Sequence, residues 1–280
     1  MALHPITSAC NQRCVFCSAY GRFDEFFNIR SFINELSKDR DSLVVISGGE
    51  PFTVGIDNLI YVINYLTKNN KTVELQTNGI MIKDLDREKL KALVLLLNRN
   101  GGYFNVNFPS HNKQVDFKIT RIKNSFDFRL KGINILHNLG AMIRITHVIN
   151  KINYRYLSNF AKFVVNNLNF IDWIQFSFTK GIGRAKQNKR IIPEYKRVSP
   201  YLLKAFEILE KNNIYFEIDH IPLCFLGRFY ERHVDVNKIK NKIKGEYLKE
   251  KEKLLTCKGC KFYKICSGPR KDYIEIYEKL

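Results

Sequence analysis

Cysteines are the residues in this 280-residue sequence whose type and spacing point most directly to chemistry. They form two groups, an amino-terminal one of Cys10, Cys14 and Cys17 and a carboxyl-terminal one of Cys224, Cys257, Cys260 and Cys266. No cysteine lies between the groups, and an odd total without a signal peptide argues against a disulfide framework. We therefore interpret the seven thiols as metal ligands.

The amino-terminal group has the spacing CxxxCxxC and directly follows a predicted strand, LHPIT. Three thiolates on so short a loop suit three corners of a cubane iron–sulfur cluster and leave its fourth iron open for chemistry. Zinc is the alternative metal, with His4 as the nearest fourth ligand.

A second motif, Ser47-Gly48-Gly49-Glu50-Pro51, follows the second predicted strand. Glycines allow a ligand to approach the backbone closely, and a carboxylate matches an ammonium group. Together with CxxxCxxC, and with Phe16 before the last cysteine, this motif makes the chain resemble the radical S-adenosylmethionine superfamily. The resemblance implies that Gly48, Gly49 and Glu50 hold the methionine amino group of the cofactor.

Weaker matches to the same superfamily continue along the chain. Asn78 lies in a Thr-Asn-Gly turn after the third strand, and Asn107 lies near the position where relatives contact the ribose. With Phe16, these asparagines complete the cofactor-binding residues that the resemblance implies. Arg121 and Arg144 are weaker candidates for the cofactor carboxylate, and a structural role is favoured for both.

Strand-like and helix-like segments alternate through the first two-thirds of the sequence, which predicts an α/β fold with a parallel sheet. About six repeats indicate a partial (β/α)6 barrel, the fold that the resemblance also implies. We expect a core over residues 1–195 and a small cysteine-rich extension over 196–280. The active site is expected at the carboxyl ends of the strands.

The carboxyl-terminal cysteines have the spacing CxxCx5C, with Cys224 upstream. Four thiolates suffice for one complete [4Fe-4S] cluster or for a structural zinc ion. The arrangement resembles the twitch and SPASM auxiliary-cluster extensions of the superfamily, with enough cysteines for one auxiliary cluster. Whether Cys224 is a ligand is left open by the sequence.

The formal charge of +19 predicts attraction to anions, including nucleic acid. A basic segment at Gly183–Arg190 is a candidate anion-binding loop, although a solvated connector is the favoured interpretation. No apolar run reaches the roughly 18 residues of a membrane span, and no targeting signal is evident. We expect a cytoplasmic protein that does not bind membranes.

The resemblance implies that an external donor reduces the first cluster, which cleaves S-adenosylmethionine to a 5′-deoxyadenosyl radical. The expected substrate is a peptide or protein side chain. Alternatives are a nucleotide-derived small molecule or a nucleic acid. A different class of function, a non-catalytic iron–sulfur or zinc module that binds nucleic acid, would need no cofactor turn at Gly48–Glu50.

Overall fold

A seven-stranded parallel sheet forms the centre of the computed structural model, which describes residues 2–21, 27–243 and 245–277. The strands lie side by side in chain order. They are β1 (Ala2–Thr7), β2 (Leu43–Gly48), β3 (Thr72–Thr77), β4 (Tyr103–Asn107), β5 (Ile143–Ile149), β6 (Trp173–Phe178) and β7 (Phe216–Asp219). Within the described residues β1 and β7 do not pair, so the sheet is an open, partial barrel, as the sequence predicts.

Helices connect successive strands, as parallel pairing requires, and further helices follow β7. They are α1 (Ile29–Leu36), α2 (Ile56–Lys68), α3 (Arg87–Asn98), α4 (Lys113–Thr120), α5 (Ser125–Asn138), α6 (Leu157–Asn167), α7 (Arg184–Gln187), α8 (Tyr195–Lys211), α9 (Val234–Lys240), α10 (Glu246–Lys249) and α11 (Lys271–Tyr277). The core between sheet and helices is aliphatic and aromatic, with Val44, Leu75 and Phe206 among its fully buried members. Burial of such side chains is the main stabilising term for the barrel.

The sheet contains one strand more than the six predicted repeats. β7 pairs with β6 in parallel, with Ile174 opposite Phe216, and the intervening helix α8 packs on α6. This seventh strand thus extends the barrel sheet. The predicted boundary after residue 195 falls at the first residues of α8, and it stays a prediction.

The carboxyl-terminal segment docks on the barrel through aromatic and charged contacts. Tyr273 of α11 stacks on Tyr195 of α8, with ring centroids 3.7 Å apart. The buried ammonium of Lys251 bonds to the carboxylate of Asp235 and lies 3.3 Å from that of Asp219 at the end of β7. These contacts hold the second cysteine group against the last strands of the sheet.

Among the described residues, none of the helices is long and apolar enough to span a membrane.

Candidate active site

The amino-terminal cysteine loop leaves the carboxyl end of β1 and is held by main-chain hydrogen bonds. The amides of Arg13 and Val15 donate to the carbonyls at the end of α4, each at 3.0 Å. On the other side, the amide of Arg184 donates to the carbonyl of Cys17, also at 3.0 Å. The segment between β4 and β5 and the segment between β6 and β7 therefore hold the loop in place before any ligand binds.

Of the three thiols of this loop, Cys10 is exposed and Cys14 and Cys17 are half-buried. Partial desolvation by the surrounding chain raises the pKa of Cys10 to about 11 and raises the pKa of Cys14 further, and the neighbouring thiols add to both shifts. Polar groups approach the sulfurs, because the amide of Gln12 donates to Cys10 Sγ at 3.4 Å and Asn78 Nδ2 lies 3.9 Å from it. Neighbouring thiols become thiolates when a cationic metal group binds, so the residues present fit an iron–sulfur cluster. Ligation itself stays a prediction.

Gly48 and Gly49 bring the second motif against this loop. A Cβ atom at Gly48 would lie 2.2 Å from the carbonyl oxygen of Thr7, and one at Gly49 would lie 2.1 Å from that of Ala9. The amides of Gly49 and Glu50 donate to these same two oxygens, at 2.6 and 2.8 Å. Both glycines are thus needed for the approach of two protein segments, and their predicted contact with the cofactor comes in addition to this role.

Glu50 is fully buried and its carboxylate is already hydrogen-bonded within the protein. It accepts bonds from the Thr77 hydroxyl and the Asn78 amide, both at 2.7 Å, and from the Phe52 amide at 3.3 Å. Burial raises the pKa of Glu50 to about 7. The carboxylate therefore orients the turn after β3, and its predicted contact with the cofactor ammonium stays a prediction.

The remaining predicted cofactor residues lie on or next to the same edge of the sheet. Asn78 donates to Asn11 Oδ1 at 2.6 Å, which links the third strand to the cysteine loop. Asn107 is the last residue of β4, and its buried Oδ1 has no hydrogen-bond partner among the described residues. Phe16 is half-buried in the cysteine loop. An orphaned buried carbonyl at a strand end is a suitable acceptor for a ligand hydroxyl.

Arg129 of α5 is part of this neighbourhood, although the sequence does not single it out. Its side chain is fully buried and pairs with Asp116 of α4, while its Nη2 has no partner among the described residues. Its positive charge acts on Cys14, where it lowers the pKa of the thiol against the larger effect of burial. In the sequence, Arg129 is an arginine within a predicted helix, followed by Leu-Lys, and nothing in that pattern indicates that its side chain is buried.

The two arginines considered for the cofactor carboxylate lie elsewhere. Arg121 is exposed and ends α4 in a left-handed conformation. Arg144 lies at the amino end of β5, where its guanidinium bonds to Glu74 and to the Tyr103 hydroxyl. Arg144 thus closes the end of the barrel opposite the cysteine loop, as a structural arginine does.

The carboxyl-terminal cysteines come together around one cavity of about 230 Å³. Its lining includes Cys224, Cys257, Cys260 and Cys266, and Tyr195 and Tyr273 form part of the wall. Burial and then the charges of Cys266 and Cys260 raise the pKa of Cys224 to about 11. The four carboxyl-terminal cysteines that the sequence predicts to share a metal, Cys224 among them, therefore line the same cavity. Its metal stays a prediction.

The sulfur spacing bears on which metal would fit. One zinc ion holds its thiolates at ~2.3 Å and so brings them to within ~4 Å of one another. Among the described residues, no three cysteine sulfurs lie within 4.8 Å of one another, whereas Asp219, His233 and Asp235 meet that limit. The ammonium of Lys251 already bonds to two members of that triad and supplies its positive charge.

Comparison with known proteins finds relatives that are similar to part of this sequence. The chain is 28% identical over 156 residues to Fe-coproporphyrin III synthase of Methanosarcina barkeri, covering 54% of this chain and 37% of that protein. It is 23% identical over 230 residues to AdoMet-dependent heme synthase of the same organism, covering 79% and 61%. The chain therefore spans less than two thirds of these relatives.

Solved structures share the fold at low sequence identity. Streptococcus suis SuiB bound to the precursor peptide SuiA superposes with a TM-score of 0.60 at 17% identity, covering 77% of this chain and 48% of SuiB. The enzyme anSMEcpe with bound AdoMet and peptide gives 0.59 at 16% identity, covering 77% and 62%. The family model described as Radical SAM superfamily matches residues 4–164. This match covers more than half of the chain, which therefore belongs to the radical SAM superfamily of enzymes.

Proposed function

We propose that Cys10, Cys14 and Cys17 ligate the [4Fe-4S] cluster that membership of this superfamily implies, and that the protein uses it to cleave S-adenosylmethionine reductively. The proposed substrate is a peptide or protein side chain, from which the resulting radical takes a hydrogen atom. The observation that carries the proposal is the junction of the cysteine loop with the Glu50 and Asn78 turns at one edge of the sheet.

When bound, the cluster and S-adenosylmethionine supply the one-electron chemistry and the radical. The protein's own residues hold the predicted ligands in position. Glu50 holds the Asn78 turn, Asn78 holds Asn11, and the amides of Gly49 and Glu50 hold the start of the loop, so the ligands are preorganised. The free carbonyl of Asn107 provides an acceptor for a cofactor hydroxyl.

A second, auxiliary [4Fe-4S] cluster is proposed at Cys224, Cys257, Cys260 and Cys266. Their common cavity supports one shared metal centre, and four thiolates suffice for a complete cluster, with a structural zinc ion as the alternative. The site lies beside α8 and the segment after β7, next to the open side of the barrel. An auxiliary cluster there would accept an electron from the substrate radical or bind the substrate.

Structural neighbours support the peptide substrate, since SuiB and anSMEcpe are both described with bound peptide. A second candidate substrate is a tetrapyrrole, which the names of the sequence relatives support. Carboxylates on such a substrate would suit the basic composition of the chain. A nucleotide-derived substrate has no comparable support among these relatives.

Anaerobic reconstitution tests the proposal. We expect about eight irons per chain, and formation of 5′-deoxyadenosine with S-adenosylmethionine and a reductant. Cys14→Ala is expected to abolish 5′-deoxyadenosine, whereas Cys260→Ala is expected to remove only the signal of the second cluster. About four irons with one zinc would contradict the auxiliary cluster, and no 5′-deoxyadenosine from the wild-type protein would contradict the enzyme.

Candidate substrates are separated by product analysis. A genomically neighbouring peptide and an iron–coproporphyrin are each incubated with the reconstituted enzyme, and mass loss is measured. Transfer of deuterium from labelled substrate into 5′-deoxyadenosine identifies the hydrogen donor. Deuterium transfer from the porphyrin alone would contradict the peptide assignment.

A further inference from the structure

Two exposed basic segments flank the amino-terminal cysteine loop. One follows the end of α4 and contributes Lys118, Arg121 and Lys123, and the other runs through and after α7 and contributes Lys186, Lys189 and Arg190. We call these six side chains the basic surface. All six are exposed, and none is paired with a carboxylate of the described residues.

Both segments contact the loop directly. The end of α4 accepts the amide bonds of Arg13 and Val15, and the start of α7 donates to Cys17. Gly183 makes the second approach possible, because a Cβ atom there would lie 2.3 Å from the Cys17 carbonyl oxygen. The basic surface is therefore fixed relative to the three predicted ligands.

The segments that carry the basic surface and the cysteine loop are locally basic. Residues 8–21, 117–126 and 173–193 contain no aspartate or glutamate, although acidic residues directly flank the last two ranges, at Asp116, Asp127, Asp172 and Glu194. Two aromatic side chains are exposed within the same region, Tyr20 at 44% and Phe117 at 47%, and the guanidinium of Arg184 lies 3.7 Å from the centre of the Tyr20 ring. Exposed aromatics surrounded by charges are typical of protein–protein interfaces.

The cluster needs an electron from outside the chain, and that electron has to enter close to Cys10, Cys14 and Cys17. We propose that the basic surface is the docking site of an acidic one-electron carrier protein. The inference rests on the proposed function, which assigns the cluster to this loop. In the transfer the carrier loses one electron and the cluster gains it, with no bond formed or broken.

Charge complementarity explains why the basic surface surrounds the loop. Opposite charges steer an acidic carrier towards the face that carries the cysteine loop, and they raise the association rate 10- to 1,000-fold at low salt. Steering weakens as salt screens the charges, with a Debye length near 8 Å at physiological ionic strength. If the carrier docks on the basic surface, the rate of cluster reduction should fall as the salt concentration rises.

The test measures the rate of cluster reduction in the reconstituted, full-length protein. A purified low-potential flavodoxin in its fully reduced state is mixed anaerobically with protein, and the loss of visible cluster absorbance gives a second-order rate constant. The variant Lys186→Glu/Lys189→Glu/Arg190→Glu is compared with wild type. The matched control, Lys131→Glu/Lys162→Glu/Lys204→Glu, makes the same change of charge at exposed positions on α5, α6 and α8.

We expect the first variant to be reduced at least about tenfold more slowly than the control at low ionic strength, and the difference to disappear at ~0.5 M salt. Reduced methyl viologen, which needs no docking, is expected to reduce all three proteins at equal rates. Equal slowing of both variants by flavodoxin would overturn the inference. So would an unchanged flavodoxin rate together with lost binding of a fluorescent oligonucleotide, which would assign the surface to nucleic acid.

Methyl viologen also separates the two proposals. A wild-type protein that methyl viologen fails to reduce would contradict the cluster assignment and the docking site with it. A protein that methyl viologen reduces, but in which the charge reversals leave the flavodoxin rate unchanged, would contradict the docking site alone.

Discussion

The Nε atom of Arg129 donates a hydrogen bond of 3.0 Å to the main-chain carbonyl oxygen of Asn78. One end of the arginine thereby holds the turn after β3, and the other end pairs with Asp116 on α4. The amide of Asn78 is bonded in turn to the Glu50 carboxylate. One buried side chain thus connects both predicted cofactor turns to the helix on which the cysteine loop rests.

Arg129→Leu is expected to lower the free energy of unfolding by about 3–5 kcal/mol, because it leaves the Asp116 carboxylate buried without its cation. Chemical denaturation of the unreconstituted protein measures the change. Arg121→Leu, at an exposed position of the neighbouring helix, serves as control and should stay within about 0.5 kcal/mol of wild type. The double variant Arg129→Leu/Asp116→Leu should lose less than the sum of the single losses. Additive losses would mean that the pair is not coupled.

Gly49→Ala is expected to destabilise the junction between the two motifs, since the new methyl group would meet the main chain of Ala9 and no flexible side chain can yield. We expect a loss above about 3 kcal/mol and reduced iron incorporation at the first site. Gly140→Ala has open space around its Cβ at φ +75° and should cost only about 1 kcal/mol. Chemical denaturation and iron analysis of the two variants check this prediction. If both variants lost the same free energy of unfolding, close approach to Ala9 would not be the reason for a glycine at position 49.

Much of the site was predictable because its residues are local in sequence. The CxxxCxxC loop and the Ser47–Pro51 motif each follow a strand, and parallel strands bring their carboxyl ends to one edge. The same logic brings Asn78 and Asn107 to that edge. The family predicted from these motifs is confirmed, and so is the open parallel sheet predicted from the alternation of strand-like and helix-like segments.

Other features depend on pairings between distant segments, which spacing does not reveal. The bond from Arg184 to Cys17 joins two separate connections, and the pair of Arg129 with Asp116 joins two helices through residues 13 positions apart, so neither has a local signature. The seventh strand pairs with β6 although its four residues are short for a strand. The role of Glu50 in holding the Asn78 turn also depends on a contact 28 residues away.

His147 provides a pH-dependent term in stability. Burial lowers the pKa of this histidine to about 3, while its Nδ1 contacts the Phe108 carbonyl oxygen at 2.9 Å. The unfolded chain takes up a proton near pH 6.5 and the folded protein does not, so the contribution is complete above pH 6.5 and is lost as the pH falls from there towards 3. Between pH 7.5 and 5.5 the wild type should lose about 1.4 kcal/mol more than His147→Gln. Parallel pH profiles of denaturation for the two proteins would contradict a neutral buried His147.

The last prediction concerns the attachment of the second cysteine group to the barrel. Lys251 is buried beside Asp219 and Asp235, and Asp235 Oδ2 also accepts a bond from the Ser267 hydroxyl at 3.2 Å. Lys251→Met keeps the length of the side chain but leaves the buried carboxylate of Asp235 and the half-buried carboxylate of Asp219 without their cation. We expect a loss of about 3–5 kcal/mol, with earlier proteolytic cleavage in the segment after β7 than elsewhere.

Lys264→Met is the matched control, because Lys264 is an exposed lysine in the same segment. This substitution should change the free energy of unfolding by no more than about 0.5 kcal/mol, and it should leave the cleavage pattern unchanged. If divalent metal restored the stability of Lys251→Met, the Asp219–His233–Asp235 triad would be able to exchange its lysine for an ion. If cleavage began instead in the strands of the barrel, Lys251 would stabilise the whole sheet, and the attachment of the cysteine segment would depend on Tyr195 and Tyr273.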